Sequence, residues 1–167
     1  VTVVGRDRPG IVHRVTAAIA DLSGNLEDSS MSLLRGHFAM TLIADLPQRD
    51  GAARLAQVLA DLADQGLPVT VVDVPAEEPG SVGRLARMSV HGADRPGIVR
   101  AATEVVLAAG GNITDLTTRL GRDLYVLTAD VVLPTDADVA AIHRTLQDRL
   151  TEVGVHAGLV EVDEELF

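Results

Sequence analysis

Two stretches of this chain carry side chains that could hold a small charged molecule. Asp7-Arg8-Pro9-Gly10-Ile11-Val12 returns unchanged, 87 residues later, as Asp94-Arg95-Pro96-Gly97-Ile98-Val99. The carboxylates of Asp7 and Asp94 could accept an ammonium group, and Arg8 and Arg95 could steer an anion. Each also has a plain reading. Pro-Gly is turn and helix-start chemistry, an Asp in front of a helix is a cap, and an exposed Arg needs no ligand. Catalytic chemistry has no comparable signal. The chain has no Cys, and its 14 basic residues are all Arg, so thiolate nucleophiles, thiolate metal sites, phosphate lysines and Schiff bases are excluded. Ser29-Ser30 has no His at a diagnostic spacing. The five His share no metal-ligand spacing and do not recur between the two stretches, so no metal and no cofactor is expected.

The elements that must position these residues follow from the repeat. The 87-residue register runs without a gap from Val3/Val90 to Pro47/Pro134 and matches Gly5/Gly92, Thr16/Thr103, Gly24-Asn25/Gly111-Asn112 and Asp28/Asp115. Such a repeat means two copies of one folding unit. In the first copy, β-branched residues predict a strand over 1–5. Ile11, Val12, Val15, Ile19 and Leu22 then have helical spacing, with Pro9 in the first turn and Asp7 at the cap. Gly24-Asn25, both tolerant of left-handed angles, close that helix. Strands follow over 26–34 and 37–46 around an Arg35-Gly36 turn. A helix over 50–65 carries Leu55, Val58, Leu59 and Leu62, and a last strand covers 68–74. Copy two repeats the order over 86–92, 97–109, 112–121, 123–133, 136–153 and 156–162. Asp28 and Asp115, on the second strand of each copy, read as acidic protection of an edge.

The fold class is therefore α+β: two ferredoxin-like βαββαβ domains, each a four-stranded antiparallel sheet with two helices on one face. The first domain spans 1–75, a polar linker 76–84, and the second domain with an acidic tail 85–167. A length of 167 residues gives each copy a modest core only. The net charge of −10, more than half of it on the second copy and the tail together, repels phosphate backbones and argues against DNA or RNA. With 2% aromatic residues the open sheet faces also lack the stacking platforms of an RNA-binding sheet. No apolar run reaches the length of a membrane span and no signal-peptide pattern opens the chain, so a cytoplasmic protein is expected.

The D-R-P-G segment between first strand and first helix, followed by Gly24-Asn25-Leu26 and Gly111-Asn112-Ile113, resembles the ACT domain. This module senses small molecules in regulators and enzymes of amino-acid metabolism. Two such domains in tandem, with the stretch Gly24-Asn25-Leu26-Glu27-Asp28-Ser29, resemble the glycine cleavage system transcriptional repressor family. The resemblance implies a non-catalytic regulatory protein whose paired copies join sheet edges side by side, with a small amino acid such as glycine at the seam. Asp7–Val12 would face Asn112 and Ile113, and Asp94–Val99 would face Asn25 and Leu26. The free N–H groups of the first helix would suit an α-carboxylate, and Gly10 and Gly97 would admit the ligand close to the backbone. The resemblance further implies a homo-oligomer acting through a protein partner, in that family a DNA-binding activator. The alternative is a ligand-free dimerisation or regulatory subunit of an amino-acid metabolic enzyme. The serine-sensing version of the pattern has a His and an Asn where this chain has Gly5 and Asp7.

Overall fold

The computed structural model describes residues 1–75, 83–122 and 124–162, and the chain divides into two compact units, Val1–Glu77 and Glu78–Phe167. Unit one runs β1 (Thr2–Arg6), α1 (Ile11–Asp21), β2 (Asn25–Leu34), β3 (His37–Asp45), α2 (Gly51–Val58), α3 (Ala60–Asp64) and β4 (Val69–Thr70). Unit two runs β5 (Arg84–Gly92), α4 (Ile98–Ala108), β6 (Asn112–Leu120), β7 (Tyr125–Leu133), α5 (Val139–Val153) and β8 (Val155–Glu161). The sheets are antiparallel, in the orders β2-β3-β1-β4 and β6-β7-β5-β8. This is the expected α+β class, with both copies ferredoxin-like.

Period-two alternation builds each core. On β3, Phe38, Met40 and Leu42 are buried, while Thr41 and Ile43 face out. Val3 of β1, Ile11, Val15 and Ile19 of α1, and Leu55 of α2, Leu62 of α3 and the intervening Leu59 close over them. In unit two, Met88, Val90, Leu127, Ala129 and Val131 meet Val105, Val106, Leu146 and Leu150. The β2–β3 hairpin turns on Arg35 (φ 50°) and Gly36 (φ 81°), both left-handed, as the twist of a two-residue hairpin demands.

Several local expectations are corrected. Val12 and Val58 are exposed rather than part of the core stripes, because each lies at the margin of its helix's buried stripe. The helix expected over 50–65 is two segments broken at Leu59, where the Leu62 N–H bonds the Leu59 carbonyl three residues back. The strand expected over 68–74 shrinks to Val69–Thr70: it pairs with Val3 and Thr2, and β1 offers no residue opposite Val72 or Val74, which stay exposed. Arg84, expected in the linker, already opens β5; residues 76–82 and the tail 163–167 lie outside the described residues, as does Asp123.

Gly24-Asn25 do not supply the left-handed stop of α1. Ser23 does (φ 56°), as Gly110 (φ 71°) does after α4, and the next residue closes the turn: Gly24 N–H donates to Ile19 O and Gly111 N–H to Val106 O, both at 2.9 Å. Gly24 and Gly111 are small for another reason. A Cβ on Gly24 would collide with Leu46 and lie 2.8 Å from the Asp45 carbonyl; on Gly111 it would lie 2.8 Å from Leu133 Cδ2.

Candidate functional site

The D-R-P-G loops are two copies of one turn. Gly10 (φ 91°, ψ −1°) and Gly97 (φ 94°, ψ −5°) have the angles of the third residue of a type II turn, with proline in the second place. A non-glycine residue is strained at such φ, and this is what requires glycine, since an added Cβ would meet nothing within 4 Å. The space above each loop is open. Gly10 and Gly97 are themselves the N-caps of α1 and α4, and no side chain caps either helix. The expected cap at Asp7 is therefore corrected, and Pro9 sits before the cap rather than in the first turn. Asp7 uses its own N–H, which donates to Gly36 O at 3.0 Å, and its carboxylate remains exposed, as does that of Asp94.

The arginines of the motif point to the last helix of each unit, α3 and α5. Arg8 donates to the carbonyl of Gln65 and to its Oε1, each at 3.1 Å, while Arg14 donates to the same Oε1 at 2.9 Å and pairs with Asp61. Arg95 lies across Gly154, the left-handed C-cap of α5 (φ 84°); a Cβ there would stand 3.2 Å from Arg95 Nε. Both cations thus sit where the carbonyl ends of a helix favour positive charge. Gln65 and Asp61 carried no signal in the sequence, because only the fold brings this helix end under the loop.

Gly5 and Gly92, where the serine-sensing pattern has its His, are set by the same neighbours. A Cβ on Gly5 would lie 2.6 Å from both Gly66 O and Leu67 Cδ2, and one on Gly92 2.8 Å from Val155 Cγ1. No larger side chain fits at either position.

The remaining expected residues divide by environment. Ile11 and Ile98 are core residues, 3% and 2% exposed, whereas Val12, Val99, Pro9 and Pro96 face solvent. Asn25 and Asn112 open β2 and β6, both exposed; Leu26 is exposed and Ile113 is half-buried against the core. A β-bulge follows in both strands, between Leu26 and Asp28 and between Ile113 and Asp115. Asp28 and Asp115 lie on the edge strands β2 and β6, where edge protection was expected.

Register shows what a single unit does not bring together. The loop after β1 starts beside Arg6, which aligns with His37, while Asn25 aligns with Asp45 at the far end of β3. Eight residue steps of strand separate these levels, about 27 Å. In unit two Gly92 aligns with Tyr125 and Asn112 with Val132, the same opposition. No small ligand spans both within one unit.

Between these ends, β2 is exposed at all ten positions and lies at the sheet edge. Met31 and Leu33 oppose the core-facing Met40 and Phe38, yet no helix covers them, and they are 53% and 50% exposed. Leu116 and Leu120 repeat this on β6. Among the described residues no group of three or more His, Cys, Asp or Glu could hold a metal ion, and no helix is long and apolar enough to cross a membrane.

Comparison with known proteins agrees with this architecture. Residues 1–72 match the ACT domain model. Over 72 residues, 43% of this chain and 80% of the relative, the sequence is 38% identical to a UPF0237 protein of Methanopyrus kandleri. A UPF0237 protein of Methanosarcina mazei is 34% identical over 71 residues, 42% of this chain and 77% of the relative. A crystal structure of a protein from Galdieria sulphuraria superposes with a TM-score of 0.82 at 31% identity, covering 97% of this chain and 96% of that one. The crystal structure of a candidate glycine cleavage system transcriptional repressor gives 0.71 at 16% identity, covering 98% and 95%, a likeness of fold alone. With its D-R-P-G turns, its two βαββαβ units and these relatives, the chain belongs to the ACT-domain family, alongside the UPF0237 proteins.

Proposed function

We propose that this chain is a non-catalytic sensor that binds a small amino acid where two ACT units pair edge to edge. The observation that carries this reading is the opposition within each unit: the open, uncapped loop lies at one end of the sheet and the edge-strand asparagine at the other. A ligand held by both needs the loop of one unit and the asparagine of another, and the duplication supplies each half twice. The ligand's carboxylate would take the free N–H groups at the start of α1 or α4, and Asp7 or Asp94 would take its ammonium group. The exposed apolar residues of β2 and β6 support pairing at these edges. Paired copies would extend to a homo-oligomer, and ligand binding would favour one arrangement of the edges and so change the surface shown to a protein partner. Glycine is the first candidate, on the sequence resemblance to the repressor family, with transcriptional regulation of glycine metabolism as the setting.

Isothermal titration of the chain against glycine, serine, alanine and larger amino acids tests this. A saturable signal from a small amino acid is expected, and Asn25→Ala with Asn112→Ala should weaken it roughly tenfold or more while the circular dichroism spectrum holds. No binding by any amino acid would remove the sensor reading. Unchanged affinity in the double variant would remove the paired-edge site. The uncovered apolar strip on β2 also suits a second reading, a ligand-free subunit docked on an amino-acid metabolic enzyme. Stoichiometric recovery of such an enzyme by the tagged chain, without an amino-acid response, would favour it.

A further inference from the structure

The fold brings together two histidines that lie 65 residues apart in the chain. His91 of β5 and His156 of β8 are direct cross-strand partners in an antiparallel register that runs without a break from Ala86↔Glu161 to Gly92↔Val155. Ala86, Met88 and Val90 face the core, so His91 stands on the open face of the sheet, and His156 stands there beside it, both exposed. Their ring centroids are 5.5 Å apart and the rings are tilted by 35°. The surroundings leave room. The next cross-strand pair on that face is Ser89↔Gly158, and the neighbour of His91 on β7 is Val126. Unit one has no counterpart: Val4 occupies the position of His91, and its N–H donates to the carbonyl of Pro68, the residue before β4.

We propose that His91 and His156 form a two-imidazole chelate for a divalent transition-metal ion, of the class of Cu²⁺, Ni²⁺ or Zn²⁺. Imidazole nitrogen binds these ions at about 2.0–2.1 Å, and two rings sharing one ion at a near-tetrahedral or square angle place their centres about 5 Å apart. The observed centroid spacing of 5.5 Å is close to this value. Because no third His, Cys, Asp or Glu joins the pair among the described residues, water or an outside ligand fills the other positions. The site is therefore open and exchangeable, unlike a closed structural zinc site. A bound ion ties the closing strand β8 to the central strand β5, so metal stabilises unit two by linkage.

The test uses the full chain without a histidine tag, titrated calorimetrically with Cu²⁺ and Ni²⁺. One ion per chain is expected, with copper tighter than nickel. His91→Ala and His156→Ala should each weaken binding at least about tenfold, whereas His13→Ala and His37→Ala should leave it unchanged. The copper spectrum by electron paramagnetic resonance should show two equatorial imidazole nitrogens, reduced in either His91 or His156 variant. Both positions are exposed, and His91→Gln with His156→Gln guards against a folding defect. Absence of binding, or binding as tight in the His91 and His156 variants as in the parent chain, would overturn the site.

Discussion

At the scale of single residues, the duplication acts as an internal experiment. Ser23 and Gly110 occupy the same left-handed place after the first helix of their units, with φ of 56° and 71°. An L-residue with a side chain is strained there and glycine is not. Ser23→Gly should therefore stabilise unit one by roughly 0.5–1 kcal/mol, and Gly110→Ser should cost unit two about as much. Thermal unfolding of the two variants checks the pair; equal and opposite signs are the expected outcome. Gly24 and Gly111 behave differently, because their limit is space. Alanine at either position must displace Leu46 or Leu133, and overpacking of this kind costs about 1–3 kcal/mol.

Between residues and units lie the elements, and here the two copies diverge. Helix α5 is a single run of 15 residues capped by Asp138, whose Oδ1 accepts the Ala141 N–H at 2.9 Å. Asp138→Ala should cost about 1 kcal/mol, read as a shift in the unfolding midpoint. Across the open face of the second sheet, Arg87 donates to Asp130 at 2.8 and 3.2 Å. This hydrogen bond, with the charge behind it, holds the Asp130 carboxyl below its ordinary value of 3.8. Arg84 lowers Glu161 in the same way, and Arg100 with Arg149 lowers Glu104. A carboxyl lowered by folding contributes stability above its unfolded pKa, and that contribution is lost as pH falls through the folded value. Asp130→Asn should therefore lower the midpoint slightly at pH 7, and the difference from the parent chain should shrink as pH falls below 3.8 and vanish once the folded carboxyl is protonated. The effect is small because the pair is solvent-screened. A difference that persists in acid would show that packing rather than charge was lost.

Taken as whole molecules in miniature, the units are unequal. The described core of unit two has 16 buried residues and that of unit one 13. Unit two closes with the seven-residue β8, held to α5 by His143, whose Nδ1 lies 2.8 Å from the Leu159 carbonyl; unit one closes with the two-residue β4. Native-state hydrogen exchange should show two cooperative units, with β4 and the α2–α3 segment opening before β8 and α5. Uniform protection across both would contradict this ordering.

The sequence by itself determined the duplication, the βαββαβ order, the positions of the turns and the apolar rows. Apart from the 87-residue repeat, each of these is written in local terms: period two on β3, helical spacing in α1, Pro-Gly and Arg35-Gly36 where the chain must bend. Element ends were less legible, because the length of β4 depends on how much of β1 lies opposite it. Only the tertiary structure decided what the doubled motif touches. It committed Arg8 to Gln65 and left Asp7 uncapping. It showed that loop and asparagine lie at opposite ends of each sheet, and it set His91 beside His156. These are contacts between residues far apart in the chain. Local pattern holds no record of them, since long-range register is settled by packing and hydrogen-bond pairing across the sheet.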